Sequence, residues 1–307
     1  MNTSVGASSA TPPSARVDGR GLAAAAFAFF LWGLMPLYLK SLHAVPVLQV
    51  TAHRLVWGCA FAFTWLALRG QLGEVRAAIA DPKIRWRLCA SAMLISVNWL
   101  TYIVGIASNR VVETSLGYFI NPLLNVTLGV LVLSERLNVA QWTSVAIAAA
   151  GVAYLTWTAG HLPWISLLLA FSFGLYGLVR KVVQVEALVG FGTETLALLP
   201  VGLGYLIWCE AAGAGVIGHA GLGTYLLLAL SGPVTAIPLV LFAYGARRIP
   251  YSTVGLLQYI GPTLQLLLAV FVFHEPFEGP RIIGFVMIWA ALAIYAGDGL
   301  WRARKMF

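Results

Sequence analysis

Charge is the scarcest feature of this 307-residue chain: 10% of residues are Asp, Glu, Lys or Arg, against 60% hydrophobic. Soluble domains carry about 25% charged and about 45–50% apolar residues, so this chain cannot keep its surface in water. Cysteine is scarce too. Cys59 and Cys209 fall inside apolar runs and Cys89 near the start of one; with no CxxC and no Cys/His cluster, a disulfide framework or a metal centre is not expected. The missing GxxxxGK[ST] pattern removes a P-loop pump. His53 and Glu194 lack HExxH or GxSxG context, which leaves an intramembrane hydrolase without a nucleophile and base. Neither a catalytic residue nor a cofactor is expected.

Long charge-free runs take the place of charge. Residues 21–39, 88–109, 114–134, 137–160, 162–179, 220–246 and 249–273 contain no Asp, Glu, Lys or Arg. A helix needs about 20 mostly apolar residues to cross a hydrocarbon core about 30 Å thick. Three further stretches are interrupted or shortened by charge: 45–68 holds Arg54, 187–209 holds Glu194, and 282–297 stops at Asp298. Lipid offers no hydrogen-bond partners, and these runs are too long and continuous for barrel strands. The expectation is an all-α membrane protein of ten transmembrane helices. Residues 1–18 are rich in Ser, Ala and Pro, with no apolar stretch before a small-residue cleavage site, and read as a disordered tail without a targeting peptide.

A net charge of +8 would suggest nucleic acid in a soluble protein, but here the positions of the charges matter more than their sum. With the N-terminus cytoplasmic, fifteen of the 19 Lys and Arg residues fall on the inner side, among them Arg180, Lys181, Arg247 and Arg248. The outer side holds Lys40, Arg110 and Arg281, and Arg54 lies within the membrane. Both termini are therefore expected inside, with 302–307 a basic cytoplasmic tail. The expected partners are the bilayer and a small-molecule substrate, not nucleic acid; homo-oligomerisation is left open.

The chain repeats itself. Placing Pro122 on Pro262 aligns 116–135 with 256–275 without a gap, matching among others Ile120/Ile260, Leu124/Leu264 and Glu135/Glu275. At an offset one residue larger, Gly33 and Leu34 fall on Gly174 and Leu175, and Lys40 on Lys181. The halves are then 19–160 and 161–301, five spans each. Because five is odd, the second half enters the membrane from the opposite side: two inverted five-helix repeats, an arrangement typical of alternating-access transporters. Channels and some membrane enzymes also carry repeats.

Polar groups inside the spans indicate where a solute would sit. Tyr118, Asn121 and Asn125 recur at i, i+3 and i+7, on one helical face, and their repeat partners are Gln258, Gly261 and Gln265. Amides facing lipid would lose hydrogen bonds worth a few kcal/mol each, so the two stripes either line a shared cavity or bond helix to helix. Pro122 and Pro262 remove a backbone hydrogen bond beside them and are expected to kink their helices. Asn98, Trp99 and Tyr102 on the third span, with Trp32, Tyr176 and Tyr259, complete the candidate lining; pocket aromatics suit amphipathic solutes.

Arg54, preceded by His53, and Glu194 lie well inside spans, and the larger offset lays His53 on Glu194. An intramembrane charge costs about 2.5–3.5 kcal/mol even on lenient scales. Arg54 could bind an anionic group while Glu194 or His53 carries a coupling proton. The other reading is a structural Arg54–Glu194 ion pair. Glu135, Glu275, Lys40 and an Asp298/Arg302 pair read as boundary features, Glu113 as a cap or gate, and 71–87 as a basic surface helix on anionic lipid.

The runs 53–57 (HRLVW), 96–99 (SVNW), 115–122 (SLGYFINP) and 257–263 (LQYIGPT) closely resemble the RarD group of the EamA-like drug/metabolite transporters, whose name comes from a chloramphenicol-sensitivity association. The resemblance extends over about 21–300. It implies a permease of the bacterial cytoplasmic membrane with ten helices and a central cavity lined mainly by spans one, three, four, six, eight and nine. Ser134 and His274 stand where the group commonly has Gly before the Glu. The function expected is a secondary transporter, an exporter of a small organic metabolite or drug-like solute; a passive channel is the alternative, and an intramembrane enzyme a more distant one.

Overall fold

A computed structural model describes residues 18–108, 111–159, 164–217, 219–272 and 279–304, and among these there is no strand. The helices are α1 (Gly19–Gly33), α2 (Met35–Ser41), α3 (Val47–Leu68), α4 (Leu72–Ala80), α5 (Pro82–Ala107), α6 (Val111–Leu131), α7 (Val139–Ala159), α8 (Trp164–Val182), α9 (Ala187–Ala211), α10 (Leu222–Ala246), α11 (Tyr251–Leu257), α12 (Ile260–Phe271) and α13 (Pro280–Arg304). Seven segments are long and apolar enough to cross a membrane: Gly19–Ser41, Pro82–Gly105, Val139–Thr158, Trp164–Val182, Ala187–Ala211, Leu222–Ala246 and Ile282–Gly299. An eighth is formed if α3 and α4, bent by 113°, count as one span.

Local chemistry explains the breaks. Pro36 stands in the first turn of α2, where its missing N–H costs nothing, and Leu34 joins α1 to α2. The two repeat-related prolines act differently. Pro122 lies inside the uninterrupted α6, whereas Pro262 follows the gap between α11 and α12. Pro262 cannot donate, and the Gln258 carbonyl is met instead by the Gly261 N–H at 3.2 Å, a tighter turn. The basic stretch 71–87 is not one surface helix. α4 tucks Val75 and Ala78 inward toward α9, while Arg85 and Arg87 belong to the first turns of α5.

Small residues allow close packing where no hydrophobic drive exists between helices in lipid. At Gly245 of α10 an added Cβ would lie 2.8 Å from the Gly21 carbonyl and the Ala25 Cβ of α1, and at Gly255 of α11 only 2.5 Å from the Pro122 carbonyl of α6. α1 packs on α10, α11 and α12; α8 packs on α5, α6 and α10; α3 packs on α9 and α10; α7 packs on α13. Exposed large apolar residues such as Trp57, Trp65, Leu131 and Trp157 lie on the outer faces, as expected where the solvent is lipid.

Candidate functional site

The packing of α1, α3, α5, α6, α8, α10 and the α11–α12 break leaves a cavity of about 190 Å³ on one side of the bundle. Its walls come from the C-terminal parts of α1 and α5 (Phe29, Trp32, Ile95, Asn98, Trp99, Tyr102) and the N-terminal halves of α3, α6 and α8 (Arg54, Tyr118, Asn121, Leu169, Phe173). On the other side the bundle is packed shut. Tyr176, Phe242, Tyr251 and Val254 are fully buried there. The Tyr251 hydroxyl donates to the Gly174 carbonyl at 2.6 Å, and Lys181 Nζ donates to the carbonyls of Ala246 (2.8 Å) and Ile249 (2.5 Å).

Glu135, expected as a boundary residue, works inside that seal. Its carboxylate accepts from the Tyr251 and Ser252 backbone N–H groups at 2.5 and 2.9 Å and from the Ser252 hydroxyl at 2.7 Å. It thus supplies the anionic cap that the N-terminus of α11 lacks in its own sequence. Asp298, expected to pair with Arg302, accepts from Asn138 Nδ2 at 2.7 Å. The side chains of Glu113 and Arg302, and His274 and Glu275 entirely, lie outside the described residues.

Of the residues expected to bind solute, Trp32, Arg54, Asn98, Trp99, Tyr102, Tyr118, Asn121, Gln258 and Gln265 line the cavity. His53, Asn125, Tyr176 and Tyr259 do not. Asn125 is fully buried and donates to Gln258 Oε1 at 2.7 Å, fixing that amide from behind. Tyr176 is one turn beyond Phe173 and stacks on Phe242 under the cavity floor. Tyr259 turns to the Phe119 carbonyl at 3.2 Å. His53 is buried beside Arg54, its Nε2 without a hydrogen-bond partner. Phe29, Phe173 and Leu239 are apolar lining residues that sequence reasoning missed.

The alternative reading of an Arg54–Glu194 ion pair is not met: the two do not pair. Glu194, 3% exposed, lies 3.4 Å from Arg180, which is 2% exposed. It also accepts from the Ser91 hydroxyl at 2.5 Å and from the Tyr176 hydroxyl at 3.5 Å. Arg180, counted from the sequence as an inner loop charge, instead sits in α8 and donates to the Ala187 carbonyl at 2.8 Å. A side chain at Gly190 would run into its guanidinium. Arg54 has different company: its Nε donates to Thr235 Oγ1 at 3.0 Å, and its guanidinium carbon stands 5.4 Å from the Trp99 ring centroid. Among the described residues no carboxylate pairs with it.

The remaining amides of the cavity are mostly held. Asn98 Nδ2 donates to the Leu169 carbonyl (2.9 Å) and Ser172 Oγ (3.1 Å), and Gln265 Nε2 to the Trp32 carbonyl (3.2 Å). Asn121 is the exception: it is 3% exposed, and its Oδ1 has no partner. No group of three or more His, Cys, Asp or Glu able to hold a metal occurs among the described residues.

A bundle of apolar helices around a cavity with polar and aromatic walls fits a multi-pass membrane protein of the transporter class. Comparison with known proteins gives the family. Residues 19–157 match the model of the EamA-like transporter family. Protein RarD of Salmonella typhi is 42% identical over 95% of this chain and 99% of its own length. Chloramphenicol-sensitive protein RarD of Pseudomonas aeruginosa is 31% identical over 94% and 98%. A solved crystal structure superposes with a TM-score of 0.67 at 20% identity, over 89% of this chain and 97% of that one, which supports the fold alone. The chain belongs to the EamA-like transporter family as a RarD-type permease, a family of transporters rather than enzymes.

Proposed function

We propose that this protein is a secondary transporter that exports a small organic solute across the bacterial cytoplasmic membrane by alternating access, with ten spans in two inverted repeats and both termini inside. The ten spans are α1–α2, α3, α5, α6 and α7 in the first repeat (19–160), and α8, α9, α10, α11–α12 and α13 in the second (161–301). One observation carries the reading: the packing pattern survives exchange of the halves. α1 packs on α10 as α8 packs on α5, α6 packs on α8 as α11–α12 packs on α1, and α3 packs on α10 as α9 packs on α5. α6 meets α11, α7 meets α13 and α3 meets α9, each helix touching its own counterpart. A bundle with that pseudo-symmetry has two exchangeable closures around one site.

The cavity lies on the side where α8 begins, so with the termini inside it faces outward while the cytoplasmic end is shut. The positive-inside bias supports the orientation, and the name of the Pseudomonas relative supports a drug-like or amphipathic solute. The test is solute flux into proteoliposomes of the purified protein. Saturable flux with counterflow is expected; a flux that rises linearly with concentration and shows no counterflow would replace the transporter by a channel.

A further inference from the structure

We propose that the cavity selects small organic monoanions: a carboxylate, an adjoining hydroxyl donor, and a flat apolar body. This rests on the cavity being the transport site, and it adds the chemical class of the solute.

The charge is the first observation. Among the described residues, Arg54 is the only Asp, Glu, Lys or Arg lining the cavity. Its Nε is held by Thr235 Oγ1 and its plane lies near Trp99, so the guanidinium is fixed in direction while no described carboxylate neutralises it. Hydroxyls and a ring face lower the cost of that burial without cancelling the charge. A carboxylate arriving at the free edge of the guanidinium would make the charge-assisted bonds the protein itself does not provide.

The second observation is Asn121. A buried amide oxygen without a partner forfeits a hydrogen bond that water would have given it, and Oδ1 of Asn121 is in that position in the wall of the same cavity. Asn98 and Gln265, by contrast, are tied to backbone carbonyls. The solute therefore meets one cation, beside a wall residue whose buried amide oxygen lacks a partner. Beside the Tyr102 and Tyr118 hydroxyls and the Gln258 amide, the wall is largely apolar or aromatic, with Phe29, Trp32, Phe173 and Leu239, Trp32 and Phe173 edge-on to each other at 5.7 Å. A volume of about 190 Å³ leaves room for a small organic body.

The test measures binding alone, on purified full-length protein in lipid nanodiscs, by dose-dependent thermal stabilisation with mandelate, its neutral isostere mandelamide, phenylacetate, 2-phenylethylammonium and chloramphenicol. Mandelate is expected to bind at least about tenfold more tightly than mandelamide, as one charge-assisted bond implies, and about fivefold more tightly than phenylacetate, which lacks the donor. Arg54→Gln should bring mandelate and mandelamide to parity while Arg54→Lys keeps their order, and Asn121→Leu should erase the preference over phenylacetate. Parity in the unsubstituted protein, preference for the cation or for chloramphenicol, or no response to any anion overturns the proposal without any variant having to fold. Mandelate binding without flux in proteoliposomes would keep the proposed chemistry and reject the transporter reading; flux of a neutral solute would do the reverse.

Discussion

Two arginines lie within the helical bundle, and their neighbours set them apart. Arg180 meets Glu194 at 3.4 Å, and that carboxylate is further held by Ser91 and Tyr176. Arg54 meets a threonine hydroxyl, an indole face and a cavity. Both charges pay for leaving water, yet among the described residues only Arg180 meets a carboxylate. Depth in the membrane alone therefore does not separate a structural charge from a functional one; the partner does.

The sharpest way to break the comparison is to remove a partner. Glu194→Gln leaves Arg180 buried and unanswered, and loss of one member of a buried pair typically costs about 3–5 kcal/mol. A large drop in melting temperature or loss of monodisperse protein is expected, largely recovered in an Arg180→Met/Glu194→Leu double variant. Exchanging Arg54 and Glu194 should give no rescue relative to either single change, because the two do not form a pair; recovery of stability in the exchanged protein would restore the ion pair that was the alternative reading of the sequence. Next in size is Glu135→Gln, which weakens charge-assisted bonds to the start of α11 and should cost about 1.5–3 kcal/mol in denaturant titration. Gly190→Ala drives a methyl into the Arg180 guanidinium and should cost about 1–3 kcal/mol by overpacking; the cost should shrink when Arg180 is also Met. The smallest stability effect is expected at Arg54. Arg54→Gln should change the melting free energy by less than about 1 kcal/mol, the scale of one hydrogen bond, while solute binding falls. A destabilisation as large as that of Glu194→Gln would show Arg54 to be structural as well.

The helices were legible because absence of charge is a long-range signal: the run 21–39 corresponds to α1 and α2, and 220–246 encloses α10. The cavity was legible in part. Tyr118, Asn121 and Asn125 share a helical face, but Asn125 is a turn beyond Asn121, about 6 Å further along the axis, and holds the lining residue Gln258 from behind. Tyr176 overshoots Phe173 in the same way. Arg180 was misplaced for another reason. At the end of an apolar run a basic residue looks like an interfacial anchor, and nothing in the spacing shows that the following helix folds back with a carboxylate opposite it. Phe29 and Leu239 carried no signal, since an apolar residue facing a cavity and one facing lipid read alike.

A guanidinium that no described carboxylate meets also has an electrical consequence in the membrane interior under the alternating-access reading. The empty protein would move a positive charge through the membrane field as it changes sides, and the protein loaded with a monoanion would not. At about 2.3 kcal/mol per 100 mV for a full charge crossing, an inside-negative potential would draw the vacant form toward the cytoplasm. The resting voltage of the cell would then favour the vacant site returning to load from within, and so would give the transport cycle its direction.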